Sequence, residues 1–187
     1  MKNFPKKIKI NQYIHLELMS FDHKNQYFDS IHKDIHDNDY FRLRLKKKYP
    51  EIIKIYLLLK HVINNKFSQN GSPDYFIFYK YELVGMFEFH PIIKSVNFLE
   101  IGYWLYKDFR RKGILSSIIP VMIEFAKSYF DKIKVLATTS INNSASQKLL
   151  KKMNFMKTNR ILEFTDKNTG VVSKEFEYFY FLKNIKV

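Results

Sequence analysis

The chain has 187 residues, no cysteine, 46% hydrophobic and 17% aromatic content, and a formal net charge of +14 at pH 7 with a sequence pI near 9.7. That is enough chain to bury a core and too apolar for wholesale disorder, so one domain over residues 1–187 is expected. The missing cysteine excludes disulfides, thiolate metal sites and a cysteine nucleophile. Residues 7–18 alternate loosely through Ile8, Ile10, Ile14, Leu16 and Leu18 and read as a first strand. Asp22 caps a helix running to about Ile35, with Tyr27, Phe28 and Ile31 on one side, and residues 37–39 break it. Pro50 opens a second helix carrying Ile52, Ile53, Tyr56, Leu57, Leu59, Lys60 and Ile63, and residues 64–73 form a polar loop. Residues 74–79 and 83–89 are short aromatic and β-branched runs around residues 80–82, the pattern of a hairpin.

Residues 96–106 predict the next strand. From Ile114 onward, apolar residues at 115, 118, 119, 122, 125, 126 and 129 fall at helical spacing, with Pro120 inside the run, where it removes one hydrogen bond and should bend or loosen the helix. Residues 133–137 form a compact strand. Asn143 or Ser144 then caps a helix carrying Ala145, Leu149, Leu150 and Met153, with Ser144 and Gln147 spaced as a capping box. Residues 155–164 and 174–182 read as a final antiparallel pair around a turn at 166–170. The order β, α, α, β, β, β, α, β, α, β, β, with no repeat and no linker, predicts an α+β fold.

The charge would draw polyanions such as RNA or anionic lipid. The cations are scattered, however, over Lys6, Lys7, Lys9, Arg42, Arg44, Lys46–Lys48, Arg110–Lys112, Lys151 and Lys152. The abundance of Lys, Asn, Ile, Phe and Tyr also follows A/T-rich codons, so solvated faces account for the excess as well as a nucleic-acid surface does. The opening MKNFPKKIKINQ has lysines without an apolar segment after them and does not read as a signal peptide. No run approaches the roughly 18 apolar residues of a membrane helix, and the cytoplasm is the expected compartment.

Residues 99–117, LEIGYWLYKDFRRKGILSS, combine an aromatic strand, a basic turn with one glycine, and the start of an apolar-striped helix. A helix N-terminus offers unpaired N–H groups and about half a positive charge, a ready site for an anionic phosphate, and Arg110, Arg111 and Lys112 stand beside it. The three-glycine dinucleotide fingerprint and the P-loop motif are both absent, which argues against NAD and ATP.

Gly102-Tyr103-Trp104-Leu105, the turn Arg110-x-x-Gly113-x-Leu115, and Asn143-x-x-Ser146 followed by Asn154-Phe155 together resemble the GNAT superfamily of acetyl-CoA-dependent N-acetyltransferases, in particular the Rim-type ribosomal-protein N-terminal acetyltransferases, which include the ribosomal-protein-serine acetyltransferase. Val84-Gly85 and His90-Pro91 with Lys94-Ser95-x-Asn97 match the strand and loop before this segment, and the likeness is dense over residues 83–156. The resemblance implies the acyl-CoA N-acyltransferase fold: a central mixed, mostly antiparallel sheet of about seven strands, about four flanking helices, and a splay between the fourth and fifth strands. It implies acetyl-CoA as co-substrate and no metal.

By the same resemblance, Arg110, Arg111, Lys112, Gly113, Ile114, Leu115 and Ser116 hold the CoA pyrophosphate, and Leu105 and Tyr106 offer free backbone groups to the pantetheine arm and thioester carbonyl. Asn143 contacts the cofactor, and Ser146 lies near the sulfur, with Ser146 or water protonating the leaving thiolate. The reaction is direct attack of a neutral amine on a thioester, so a proton must be removed; Glu100, on the strand before Gly102, is the candidate base, acting directly or through water. Arg111 and Leu115 are bulkier than the family turn usually carries; Asn154 replaces a glycine; and Leu150 stands where many relatives carry a tyrosine acid.

The acceptor implied is a protein N-terminal α-amine, ribosomal by resemblance, with ribosome or RNA contact through the basic surface and no membrane partner. A small amine such as an aminoglycoside or polyamine is the alternative within the enzyme class, and a non-catalytic CoA- or RNA-binding module the alternative outside it. His32 and His36, four apart near Asp29, have metal-ligand spacing but no evident third ligand and no HExxH. His90 is placed to shape the acceptor cleft; one of Tyr103 and Trp104 is expected in the core; and the run FEYFYF at 176–181 reads as a strand buried on one face rather than a base-stacking platform.

Overall fold

The structure is a computed structural model that describes residues 4–26, 29, 73–90, 97–130, 132, 134–165 and 172–182. The helix expected after Asp22 lies largely outside these residues. The Pro50 helix, the loop at 64–72, His32 and His36, residues 91–96 and the turn at 166–170 lie wholly outside them. The chain forms two compact units, Met1–Phe89 with Tyr103–Ile114, and His90–Gly102 with Leu115–Val187.

In the first unit, β1 (Lys7–Lys9) and β2 (Ile14–Leu18) form an antiparallel hairpin with Lys7 opposite Glu17. Residues 7–18 are therefore two strands and not one. The cause is Asn11, whose Oδ1 accepts the backbone N–H of Tyr13 and of Ile14, both at 2.8 Å, and so gives the backbone a local alternative to extension. β2 pairs β3 (Asp74–Tyr79), which pairs β4 (Glu82–Phe89) across a two-residue turn. Lys80 and Tyr81 take φ of 48° and 69° there, the left-handed pair whose twist suits a hairpin. Both faces of β3 and β4 are buried, with Tyr75, Phe76, Ile77, Val84 and Phe87 at their centre.

β5 (Phe98–Leu105) runs from the second unit into the first. At its end Tyr106 donates its N–H to Val84 O at 2.9 Å. Gly85 makes this approach feasible, because a Cβ there would collide with Trp104 O and with Leu105.

In the second unit, β5 pairs β6 (Lys134–Ser140) in parallel from Phe98↔Lys134 to Glu100↔Leu136. β6 then pairs β8 (Val172–Phe181) antiparallel along its whole length, and β8 pairs β7 (Met156–Thr165). Helix α1 (Ile114–Tyr129) turns Ile118, Ile119, Met122, Phe125 and Ala126 inward, close to the expected stripe, and carries Pro120 on its exposed side without ending there. α2 (Ser144–Lys152) buries Leu150. Its cap is Asn143, and the expected Ser144–Gln147 box does not form: Gln147 Nε2 instead donates to the carbonyls of Ser140 and Ile141 at 3.1 and 2.9 Å.

Eight strands appear among the described residues where about seven are expected, the difference being the β1–β2 hairpin. β8 is flanked on both sides, and Tyr178 in FEYFYF is fully buried, so that run is interior strand. Tyr103 and Trp104 are both half-buried, Tyr103 stacked on Phe87 and Trp104 edge-on to Tyr106, so neither is a full core residue.

Candidate active site

The end of β5 leads through a 3-10 turn (Lys107–Phe109) into the basic loop and α1. Arg110 is extended, Arg111 takes φ 61°, and Gly113 takes φ 75° immediately before the helix. The left-handed backbone at Arg111 gives a physical reason for a small residue at that place, and an arginine there costs about 1 kcal/mol. Arg110 Nε donates to Leu105 O at 3.0 Å, tying the loop back to the strand, and the Lys112 ammonium lies 5.0 Å from the Phe109 ring centre. Ile114, Leu115 and Ser116 form the first turn of α1, which has no acidic residue to compete for its N–H groups.

The expectation that Leu105 and Tyr106 keep free backbone groups is corrected in part. Tyr106 N–H is spent on Val84 O, Tyr106 O accepts from Phe109 N at 3.0 Å, and Leu105 O accepts from Arg110. Successive strand N–H groups point to opposite edges, so the Leu105 N–H lies on the edge of β5 that faces away from β4.

Asn143 is exposed, and its Oδ1 accepts the Ser146 N–H at 3.1 Å, so its oxygen caps α2 and its amide nitrogen remains for other contacts. Ser146 is half-buried in the first turn of α2. The end of α2 turns through Asn154 at φ 62°, the left-handed geometry that a glycine would supply.

Glu100 is half-buried, and its carboxylate has no hydrogen-bond or ion-pair partner among the described residues. Its backbone is held, because Glu100 O accepts the N–H of His90 at 2.9 Å, while the His90 side chain stands exposed. Glu100 lines a groove of about 350 Å³ on one face of the second unit's strands. Phe98, Leu136, Leu162, Phe164 and Phe179 provide its apolar surface; Thr138, Thr158, Lys134, Arg160 and Glu177 provide the polar groups. The sequence reading missed Glu177, which it counted only within the aromatic run. The alternation Phe176, Glu177, Tyr178 puts Glu177 on the face opposite the buried Tyr178, and that is the signal that could have found it.

No group of three or more metal-ligating side chains occurs among the described residues, and no helix among them is long and apolar enough to cross a membrane.

The sequence profile of the acetyltransferase (GNAT) domain matches residues 27–156, well over half of the chain. The chain belongs to the GNAT acetyltransferase family. Among curated sequences it is similar to two proteins of Bacillus subtilis (strain 168). One is the uncharacterized N-acetyltransferase YoaA, 29% identical over 46% of this chain and 49% of the relative. The other is the putative ribosomal N-acetyltransferase YdaF, 26% identical over 43% and 44% respectively. The chain thus matches about half the length of these relatives. In fold it is similar to the Salmonella typhimurium acetyl transferase that modifies the N-terminal serine of ribosomal protein L7/L12, with TM-score 0.76, 17% identity, and 95% and 99% of the two chains covered. It is equally similar to the microcin C7 self-immunity acetyltransferase MccE solved with acetyl-CoA and AMP, with TM-score 0.76, 19% identity, and 96% and 98% covered. The acyltransferase fold expected from the resemblance is the fold of this chain.

Proposed function

We propose that this protein transfers the acetyl group of acetyl-CoA to a primary amine by direct attack in a ternary complex, with a protein N-terminal α-amine, ribosomal in kind, as acceptor. The observation that carries the chemistry is the Glu100 carboxylate, half-buried, without a partner among the described residues, and opening on a groove. A carboxylate placed this way can act as a general base toward an amine in the groove. The amine nitrogen forms a bond to the thioester carbon, the C–S bond breaks, the ammonium proton passes to Glu100 directly or through a water, and the thiolate takes a proton from Ser146 or water.

Arg110, Arg111, Lys112 and Gly113 with the first-turn N–H groups of Ile114, Leu115 and Ser116 hold the CoA pyrophosphate. The Leu105 N–H pairs with the thioester carbonyl, the same edge of the strand end carries the pantetheine arm, and the Asn143 amide nitrogen contacts the cofactor. The ribosomal acceptor is supported by the similarity to the L7/L12-modifying enzyme and to the putative ribosomal N-acetyltransferase. The charge of +14 suits a partner rich in nucleic acid. A small-molecule amine is the second reading, favoured by the two carboxylates in the groove.

The test is acetyl-CoA turnover against a panel of N-terminal peptides and small amines, read by release of free thiol and by the mass of the acceptor. Thiol released in step with acetylated peptide supports the proposal. Tight CoA binding without any acetylated acceptor favours a binding module and contradicts it.

A further inference from the structure

We infer that Glu177 is a specificity-determining residue that binds a second cationic group on the amine acceptor, two strands away from the amine that reacts at Glu100. The inference rests on the reading that Glu100 faces the reacting amine, and it adds the substrate class: a primary amine that carries another cation.

Glu177 is 8% exposed and sits on β8 opposite Thr138 of β6. Among the described residues its carboxylate receives one hydrogen bond, from Thr158 Oγ1 at 3.2 Å. Arg160 Nη1 lies 3.7 Å from the other carboxylate oxygen, beyond hydrogen-bond distance, on a side chain that is 71% exposed. An ionised carboxylate accepts about four hydrogen bonds, and a desolvated one left with a single good partner attracts any donor that enters its cavity. The groove's other cation does not satisfy it, since the Lys134 ammonium lies against the rings of Phe98 and Phe179, 5.9 and 5.7 Å from their centres. The loosely held guanidinium of Arg160 already shows what the position accepts, a nitrogen cation, and its exposure leaves it free to move aside.

The register fixes the spacing. Glu100 pairs with Leu136, which pairs with Phe179, while Glu177 pairs with Thr138, two residues further along β6. The two carboxylates therefore stand on one face, about 10 Å apart across the strands and about 7 Å along them. Leu136 and Thr138 of β6 lie between, with Phe179 beside them, and the apolar side chains suit the stem that joins two amines. Two sources share this chemistry: an N-terminal peptide with a lysine or arginine near its start, and a free polyamine.

The experiment compares kcat/KM for matched acceptors. One arm uses peptides that differ only by lysine against norleucine at the second, third or fourth residue; the other uses 1,8-diaminooctane against octylamine. Wild type should prefer the dicationic member of at least one pair by about tenfold or more, the worth of a hydrogen bond to a charged group. Glu177→Gln should bring that ratio close to one, and Glu177→Asp should retain part of it. Arg160→Ala should widen the ratio, and its exposed site guards against misreading a folding defect. The arm that shows the preference identifies the source. A wild-type ratio near one in both arms, or a ratio unchanged in Glu177→Gln, overturns the inference. If no amine is acetylated, the parent reading fails, and calorimetry with the same diamine and monoamine then decides this one: equal binding by wild type, or selectivity that survives in Glu177→Gln, overturns it.

Discussion

Glu17 in the first unit and Glu100 in the second are both partly buried strand carboxylates, yet their surroundings are opposite. Glu17 Oε1 takes the Lys7 ammonium at 2.9 Å and the His15 Nε2 at 3.2 Å, and Oε2 takes His23 Nε2 at 3.1 Å. His23 in turn accepts the Ser20 N–H on Nδ1 at 3.2 Å and packs edge-on to Phe76, while His15 stacks on Phe78. Glu100 has no such partner among the described residues. A carboxylate surrounded by donors spends its charge on holding β1, β2 and the turn after β2 together. A carboxylate without such partners beside a groove leaves its oxygens open to whatever enters. Glu177 stands between the two cases, with one hydrogen bond and one long ion pair.

The contrast breaks if the two residues respond alike to substitution. Glu100→Gln should lower kcat about 100-fold at neutral pH, within the range of general-base catalysis, while acetyl-CoA affinity and melting temperature stay near wild type. Glu17→Gln should do the reverse, costing about 1–2 kcal/mol of stability in denaturant unfolding by weakening its hydrogen bonds to His15 and His23, with kcat changed little. A Glu17→Gln variant as stable as wild type would show that this cluster holds nothing together.

Acid sharpens the same contrast. Burial acts to raise the Glu17 carboxyl, but the hydrogen bonds from His23 and Lys7 outweigh it and hold the group below its ordinary value. Its contribution is present above the unfolded carboxylate value and is lost as pH falls through the lower folded one. Burial and the nearby Lys7 charge hold His15 below 6.5, so below that pH the unfolded chain takes up a proton that the folded one resists. Both groups therefore make unfolding easier as pH drops. Melting curves taken from pH 7 to pH 3 should show that fall in the wild-type protein, and a melting temperature that does not drop over this range would contradict it. The smallest effect belongs to Lys7→Met: an ion pair on a side chain this exposed contributes at most about 0.5 kcal/mol, and its removal should shift the denaturant midpoint only slightly.

The segment from β5 through the basic turn to α1 could be read in the sequence because its signals are local: aromatic alternation, one glycine before a helical stripe, and cations between them. The hairpin at Lys80 and Tyr81 was legible for the same reason, although neither residue is the glycine or asparagine its backbone prefers. The break at Asn11 was hidden, since a side chain capturing two backbone N–H groups ends a strand without disturbing its apolar alternation. The occupation of Tyr106 N–H and Leu105 O was equally hidden: it depends on Gly85 admitting β4 close to the end of β5, and on Arg110 folding back. The groove is the clearest case. Residues 100, 138, 158 and 177 meet only through the register of β5, β6, β8 and β7, and a β7–β8 irregularity between Lys157 and Ile161 sets which β7 residues face it. No local pattern encodes that register.

The central claim, that the unpaired carboxylate does the chemistry, is tested most directly by the pH dependence of kcat/KM for wild type and Glu100→Gln with one acceptor. The wild-type rate should rise through an ionisation that is missing from the variant, with the gap between them widest on the plateau. Two profiles of the same shape and midpoint would contradict it.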